Sequence, residues 1–233
     1  RPGSSLRNTG GTSGEPLSYL VEPGSDAREW AYMSGLWHSL GYRSSDIKLS
    51  FRGTPLGEEP YRYMPRQNEY VVNTYAGYEH IAEPLLALVK RRRIRFLHGY
   101  PSVLRDFADF CAGPGTDVLK ALQGTLRGVF LGSEYPAPVY RERIEKVFGV
   151  PSLSWYGHGE RAVLAGDAAR KFEYRPMHSY GLCEAVDAED GSQRLVGTGW
   201  ANQCSPFIRY DTGDRIQALD SENGLLRAFR IEA

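Results

Sequence analysis

A loop rich in glycine and hydroxyl side chains lies near the start of the chain. Residues 9–14 read Thr-Gly-Gly-Thr-Ser-Gly. Glycines allow neighbouring backbone N–H groups to converge and the hydroxyls add donors, so a loop of this type is suited to binding phosphate. It lacks the Gly-Lys-Ser/Thr ending of a Walker A loop. Taken alone, the same composition would equally suit a flexible linker.

A second segment with chemical potential follows a short apolar run. Residues 156–161 read Tyr-Gly-His-Gly-Glu-Arg. An aromatic ring can stack on a base, and a carboxylate on a glycine-rich turn can ligate Mg²⁺, which usually takes one or two protein carboxylates together with phosphates. The alternative is structural, with Tyr156 in the core and Glu160 as a helix-start carboxylate paired with Arg161.

The third segment, residues 207–214, reads Phe-Ile-Arg-Tyr-Asp-Thr-Gly-Asp. Its last residue, Asp214, follows a turn glycine and could accept two hydrogen bonds from a ribose diol, as acidic residues do in other nucleotide sites. Asp-Thr-Gly-Asp is also an ordinary turn between two strands. No single segment distinguishes the two interpretations.

The elements that must position these segments alternate between helices and strands. Periodicity and capping residues predict helices over 25–41, 78–92, 101–111 and 137–148, and strands over 17–21, 47–51, 70–75, 94–97, 128–131 and 152–155. Alternation of this kind indicates an α/β fold with a layered, mostly parallel sheet flanked by helices. Ligands bind at the carboxyl ends of such strands, which draws attention to the loops after Leu131 and Trp155.

The sequence pattern changes after about residue 172. Short extended runs separated by Gly, Asp or Asn turns predict strands over 180–186, 194–198, 207–210, 215–219 and 225–231. We therefore predict an α/β portion over 1–171 that carries the glycine-rich loop. A β-rich, distorted barrel-like subdomain is predicted over 172–233.

Composition excludes several classes of function. The 28 Lys+Arg residues balance 28 Asp+Glu residues, which argues against a nucleic-acid-binding surface. No apolar run approaches the roughly 18 residues that a membrane span requires. Three cysteines, Cys111, Cys183 and Cys204, are odd in number and form no CxxC pair. They are interpreted as buried free thiols of a protein in the reducing cytoplasm.

The three segments in this order, with Leu-Gly-Ser-Glu at 131–134 ahead of the second, resemble the adenylate-forming superfamily of acyl-, aryl- and aminoacyl-AMP ligases. Residues 9–16 are similar to its phosphate loop, Thr-Ser-Gly-Thr-Thr-Gly-Lys-Pro. Residues 156–160 are similar to Tyr-Gly-x-Thr-Glu, and 210–214 to Tyr-Arg-Thr-Gly-Asp. Further likeness, to the phenylacetate-CoA ligase branch and within it to capsular-polysaccharide-biosynthesis adenylate-forming proteins, is carried by 98–102, 156–165, 196–199 and 208–210.

This resemblance implies roles for individual residues. The β- and γ-phosphates of ATP would be held by the first loop, through Thr9, Gly11, Thr12, Ser13 and Gly14. The adenine would lie along the segment of Gly132, Ser133 and Glu134. Of the family's catalytic positions, Thr12 and Glu160 are the matching residues here.

The other roles fall on the second and third segments. Tyr156 would stack on the adenine with Gly157 beside it, Glu160 would bind Mg²⁺, and Asp214 would bind the ribose hydroxyls. The pocket for the small-molecule carboxylate would be lined by Gly99, Tyr100 and His158. The implied reaction joins a carboxylate to AMP, releases pyrophosphate and passes the acyl group to CoA or another nucleophile, in a biosynthetic role at the bacterial surface polysaccharide.

The sequence also departs from the family. Glu15 stands where the loop often has Lys, and Gly159 replaces a Thr, a loss for which His158 could compensate as a donor. Relative to the family, the N-terminal helical region and the C-terminal lysine-bearing small domain are missing from these 233 residues, so this fragment alone is expected to be weak or inactive. The alternative is a non-catalytic nucleotide-binding or interaction module derived from the fold.

Overall fold

A computed structural model describes residues 3–8 and 17–232 of the chain. The predicted phosphate loop, residues 9–16, lies outside the described residues. The roles expected of Thr9, Gly11, Thr12, Ser13 and Gly14 therefore stay predictions, as does the effect of Glu15.

The described residues form five α-helices and fourteen strands. The helices are α1 (Ser25–Trp37), α2 (Ala82–Arg91), α3 (Pro101–Ala112), α4 (Thr116–Gln123) and α5 (Pro138–Phe148). The first eight strands are β1 (Ser5–Asn8), β2 (Ser18–Val21), β3 (Ile47–Phe51), β4 (Tyr61–Met64), β5 (Glu69–Val72), β6 (Ile94–Gly99), β7 (Gly128–Leu131) and β8 (Ser152–Gly157). The remaining six are β9 (Leu164–Gly166), β10 (Arg175–Pro176), β11 (Gly181–Asp187), β12 (Gln193–Gly199), β13 (Tyr210–Glu222) and β14 (Leu225–Ile231).

The chain divides into two compact units. Residues 37–154 form one of them, named here the central unit. Residues 1–36 together with 155–233 form the other, named here the flanking unit. Strand β8 begins in the central unit and ends in the flanking unit, and each unit is described by itself.

The central unit is built on a parallel sheet. Its strands run in the order β8-β7-β6-β3-β5-β4, with β4 antiparallel to β5 at the edge and the other neighbours parallel. Strands β5, β6 and β7 are buried along nearly their whole length rather than at alternate residues, as expected where helices or loops cover both faces of a sheet. One face packs against the helices through a core that includes Leu49, Phe51, Leu104, Phe107 and Leu131.

Two proline-started helices flank this sheet. Pro101 and Pro138 occupy the first positions of α3 and α5, where a missing N–H leaves no hydrogen bond unmade. Helix α5 ends at Gly149, whose φ of +68° is the left-handed conformation that glycine adopts without strain. The chain turns sharply at this point and enters β8.

The flanking unit is mostly antiparallel. Strands β1 and β2 form a hairpin, the second half of β8 pairs with β9, and β9 pairs with β10. Strands β11 to β14 form a curled, half-barrel sheet of four strands in sequence order, with register shifts along β12, β13 and β14. Its core contains Tyr156, Val163, Tyr174, Leu195 and Phe229.

The predicted fold class is confirmed, and several predicted elements have the observed bounds. Strands β3, β7 and β14 match in full, and α3 begins at the predicted proline. Five elements were not predicted, namely β1, β4, β9, β10 and α4. The strand predicted over 207–210 is wrong, because Arg209 takes a φ of +48° that breaks an extended strand, and β13 begins only at Tyr210.

Helix α2 begins four residues later than predicted. The backbone turns at Gly77, whose φ is +77° and whose carbonyl accepts a hydrogen bond from His80 N at 3.2 Å. This turn directs residues 78–81 along a non-helical path before α2 starts at Ala82.

Cys111 and Cys183 are buried and Cys204 is half-buried, and all three are free thiols. Burial raises the pKa of Cys111 and of Cys183 to about 12, so both are protonated at neutral pH. Among the helices of residues 17–232, none combines the length and apolarity that a membrane crossing requires.

Candidate functional site

The pairing of Tyr156 with Asp214 joins two of the sequence motifs. Tyr156 lies near the end of β8, and its hydroxyl donates a hydrogen bond to Asp214 Oδ2 at 2.5 Å. Burial, and then the bond to Asp214, raise the pKa of Tyr156 well above its usual value, so the phenol keeps its proton. Asp214 is exposed on β13, which leaves its second oxygen open to a ligand such as a ribose diol.

The ring of Tyr156 is largely a core element. It is only 9% exposed and packs edge-on against Phe229, with 5.8 Å between the ring centroids. The packing is what the structural alternative predicted for this residue. Its stacking on adenine stays a prediction.

Glu160 is the most strongly perturbed carboxylate of the site. Its Oε2 lies 2.8 Å from His158 Nδ1, and its Oε1 accepts a hydrogen bond from the Tyr210 hydroxyl at 2.8 Å. The bond from His158, aided by Tyr210, outweighs burial and lowers the pKa of Glu160 to about 2. Glu160 is therefore ionised at neutral pH while it is only 8% exposed.

An ionised, buried carboxylate is the kind of oxygen ligand that Mg²⁺ prefers. Each oxygen of Glu160 already takes part in one hydrogen bond, but a carboxylate offers about four lone-pair positions, so positions remain for a metal. Residues 3–8 and 17–232 contain no group of three or more His, Cys, Asp and Glu side chains arranged to hold a metal by themselves. The residues present therefore fit a cation held by one carboxylate together with phosphate oxygens, rather than a closed metal centre.

His158 is held on two sides. Its ring stacks on that of Tyr210, with a centroid separation of 5.7 Å and an interplanar angle of 25°. Because ionised Glu160 can only accept, His158 Nδ1 must carry the hydrogen of the bond between them. His158 Nε2 is buried and has no hydrogen-bond partner within the described part of the chain. This nitrogen is the one that could meet a ligand.

The turn after β8 is fixed by Arg161. This residue has a φ of +60°, and its guanidinium donates to Ser25 Oγ at 2.5 Å and to Asp26 Oδ1 at 2.6 Å. The suggested pairing of Glu160 with Arg161 is therefore wrong, since Arg161 binds the first turn of α1 instead. Gly157 closes β8 by pairing with Leu164 of β9.

The candidate residues of the central unit gather where β6 and β7 end. Gly132 N donates to Gly99 O at 3.2 Å, and Ser133 has a φ of +66°. Glu134 accepts hydrogen bonds from Ser102 N at 3.1 Å and Ser102 Oγ at 3.0 Å. Its carboxylate thus caps the positive end of α3, a favourable position for negative charge.

Gly99 must be glycine for a steric reason. A Cβ at this position would lie 2.3 Å from Phe51 O, far inside van der Waals contact. The close approach lets Tyr100 N donate to Phe51 O at 3.3 Å as the chain enters α3. Tyr100 itself is half-buried beside this turn.

A buried charged network in the central unit was missed at the sequence level. Glu69, which is fully buried, accepts a hydrogen bond from Arg52 and lies 3.9 Å from His98 Nδ1. Lys48, also fully buried, donates to Tyr42 Oη at 3.1 Å and to Gln67 O at 2.7 Å. The available signal was a charged residue inside an otherwise apolar strand, Ile-Lys-Leu-Ser-Phe at 47–51.

The candidate residues are thus divided between the two units. The flanking unit contains Tyr156, Gly157, His158, Glu160 and Asp214, and the rings of Tyr156 and His158 lie 6.1 Å apart. The central unit contains Gly99, Tyr100, Gly132, Ser133 and Glu134.

This chain has low sequence identity to the known proteins that it matches. No protein-family model matches it. It is 21% identical over 220 residues to Protein CapK of Staphylococcus aureus, a match that covers 92% of this chain and 48% of that protein. The chain thus spans about half the length of this curated relative.

Solved structures match over nearly the whole chain. The 2-hydroxyisobutyryl-CoA ligase in complex with 2-HIB-AMP and CoA has a TM-score of 0.67 at 16% identity, over 97% of this chain and 55% of that chain. A malonyl-CoA ligase with methylmalonyl-CoA and AMP bound has a TM-score of 0.60 at 18% identity, over 98% and 52%. Apo MbtA of Mycobacterium smegmatis has a TM-score of 0.64 at 15% identity, over 98% and 45%. The chain therefore has the fold of the adenylate-forming ligases, of whose N-terminal domain it covers a part.

Proposed function

We propose that this chain carries the nucleotide site of an ATP-dependent ligase that converts a small carboxylate to an acyl-adenylate with release of pyrophosphate. The acyl group would then pass to CoA or to another nucleophile. The observation that carries the proposal is the cluster of Tyr156, His158, Glu160, Tyr210 and Asp214, because two separate motifs meet there and each supplies the functional group that the reaction requires.

The chemistry asks for alignment and charge neutralisation more than for proton transfer. A carboxylate oxygen attacks the α-phosphorus of ATP while the bond to pyrophosphate breaks, so anionic groups must be brought together. Mg²⁺, when bound, would offset that negative charge. Glu160 would hold the ion, since its low pKa keeps a full negative charge available at neutral pH.

The remaining residues would hold the reactants. The open oxygen of Asp214 would accept hydrogen bonds from the ribose diol, while the phenol of Tyr156 holds the other oxygen. Gly132, Ser133 and Glu134 would line the adenine, with the ring of Tyr156 against it and Gly157 beside it. Backbone amides and hydroxyls of residues 9–14, among them Thr12, would bind the β- and γ-phosphates. Gly99, Tyr100 and His158 would line the pocket for the acid.

The biological setting is a finer proposal. Likeness over 98–102 and 156–165 to capsular-polysaccharide-biosynthesis adenylate-forming proteins supports a biosynthetic role at the bacterial surface polysaccharide. Three free cysteines support a reducing compartment, the cytoplasm. The chain's balanced charge supports a small-molecule partner rather than nucleic acid.

A second candidate function is a nucleotide-binding module without catalysis. It is favoured by Glu15, which puts negative charge beside the phosphates, and by the occupation of both Glu160 oxygens by hydrogen bonds. Such a module would bind nucleotide without exchanging its phosphates.

Carboxylate-dependent ATP–pyrophosphate exchange on the full-length protein, across a broad panel of acids, separates the two functions. We expect exchange with at least one acid in the wild type and a drop of about 100-fold in Glu160→Gln, the size of effect seen when one charge-stabilising group is lost. Glu173→Gln is the matched control, since Glu173 is a similarly buried carboxylate that binds Arg230 and Arg170.

Exchange that Glu160→Gln leaves unchanged would overturn the Mg²⁺ assignment. Exchange with no acid, combined with calorimetric binding of ATP, would establish the non-catalytic module instead.

A further inference from the structure

Strands β1 and β2 form a small hairpin, and the predicted phosphate loop lies between them in the sequence. Strands β1 and β2 pair in antiparallel register from Ser5 with Val21 to Asn8 with Ser18, and residues 9–16 connect them. A two-stranded hairpin has little stability of its own in water. The position of the two strands therefore depends on what holds β2.

Three hydrogen bonds hold β2 to loops of the same unit. The Tyr19 hydroxyl donates to Gly159 O, one residue before Glu160. Leu20 N donates to Ser205 Oγ at 3.0 Å, and Asn202 Nδ2 donates to Leu20 O at 2.7 Å. These bonds join the hairpin to the loop that follows β8 and to the segment that precedes β13.

Aromatic contacts connect Tyr19 to Glu160 by a second route. Tyr19 is 6% exposed, and its ring meets Phe207 edge-on at 5.4 Å between centroids. Phe207 meets Tyr210 at 5.0 Å, and the Tyr210 hydroxyl donates to Glu160. Tyr19 thus reaches the Glu160 loop by two routes, one through the Gly159 carbonyl and one through two rings.

Gly159 leaves space for this arrangement. A Cβ at position 159 would lie 3.3 Å from the Tyr19 hydroxyl oxygen, which is tighter than ordinary van der Waals contact. The adenylate-forming family has Thr at this position, so the departure noted in the sequence coincides with a tyrosine hydroxyl that fills the neighbouring space. Gly159 and Tyr19 are therefore sterically complementary, since the glycine leaves room for the tyrosine hydroxyl.

We propose that Tyr19 is a positioning residue that holds the phosphate-loop hairpin in register with the Glu160 loop, through its bond to Gly159 and its contact with Phe207. The inference rests on the proposed nucleotide site. It predicts that Tyr19 matters for the outer phosphates of ATP, which the hairpin loop would bind, and hardly at all for AMP.

The test compares the affinities of ATP·Mg²⁺ and AMP in Tyr19→Phe by titration calorimetry on the full chain. We expect ATP affinity to fall about five- to tenfold, the loss expected for one hydrogen bond, while AMP affinity changes less than about twofold. Tyr32→Phe is the control, since its hydroxyl also donates to a backbone carbonyl, Ser179 O at 2.7 Å, away from the hairpin. A purely structural role would lower both affinities together, or neither.

Gly159→Ala supplies a second measurement. The methyl group should lower the ratio of ATP to AMP affinity in the wild type, but much less in Tyr19→Phe, where the crowding oxygen is gone, so the two effects should be non-additive. An unchanged ATP/AMP ratio in Tyr19→Phe, in a wild type that binds both nucleotides, overturns this inference alone. Absence of nucleotide binding in the wild type overturns the proposed function with it.

Discussion

Two buried carboxylates, Glu69 in the central unit and Glu160 in the flanking unit, lie in opposite electrostatic surroundings. Both are nearly inaccessible and both have a pKa below the usual value. Burial acts to raise the pKa of Glu69, but His98 and then the Arg52 guanidinium outweigh it. The hydrogen-bond partners of Glu160 are an imidazole and a phenol, neither of which carries a permanent charge.

The difference explains why a buried carboxylate does not by itself mark a ligand site. The charge of Glu69 is balanced by the guanidinium of Arg52 and, at neutral pH, by the ammonium of Lys48, so a further cation has little to gain there. Glu160 is hydrogen-bonded without such compensation, because the nearby Arg161 binds Asp26 and Glu29. An ionised group whose charge is held but not neutralised is suited to bind a metal.

The largest effect on stability is expected for Glu69→Ala. Removing this carboxylate leaves Arg52 and Lys48 without their buried counter-charge, which should lower the free energy of unfolding by about 3–5 kcal/mol. Glu160→Gln should cost only about 1 kcal/mol, the worth of a hydrogen bond that glutamine partly keeps. Urea denaturation of both variants measures the contrast, and equal losses would show that the two carboxylates have the same structural role.

The pH dependence of stability tests the buried network of Glu69 through Lys48. Burial lowers its pKa to about 8, although Glu69 and Asp46 oppose the shift and Arg52 adds to it. Between pH 8 and the usual lysine value the unfolded chain therefore binds more protons than the folded chain, and this residue makes stability rise with pH. Relative to Lys48→Met, the wild type should gain about 1–2 kcal/mol from pH 7.5 to 9.5.

Comparing unfolding free energies of the two proteins at each pH cancels the contributions of other groups, such as the buried thiols. A difference that stays constant across this range would contradict a lowered Lys48 pKa.

The smallest effect is expected at a third carboxylate, the exposed Glu134. Glu134→Ala removes the cap of α3 and should destabilise the protein by about 1 kcal/mol, whereas Glu134→Gln keeps the hydrogen-bonding oxygen and should cost less. Thermal unfolding measures both variants. A larger loss in Glu134→Gln than in Glu134→Ala would show that capping is not the role of this side chain.

Local sequence patterns predicted the elements of the central unit well, because the signals for these elements lie in contiguous residues. The apolar run of β7, the proline that starts α3 and the glycine that ends α5 each act within a few positions. Strand β4, by contrast, is an exposed edge strand, and both β4 and β1 are only four residues long, so neither has the periodicity that would reveal it. The strand predicted over 207–210 is interrupted at Arg209 by a positive φ, a backbone angle that the side-chain type does not predict.

The sequence by itself determined the alternation of helices and strands, the order of the three motifs and the residue types that they bring, because each depends on neighbours along the chain. Only the tertiary structure decided which groups meet. It paired Tyr156 with Asp214 across 58 positions, gave Glu160 an imidazole and a phenol as partners, and set the Tyr19 hydroxyl beside Gly159. Charge balance and hydrogen bonding act through space, so the environment that lowers one pKa and leaves another group open to a ligand arises only once distant strands are packed together.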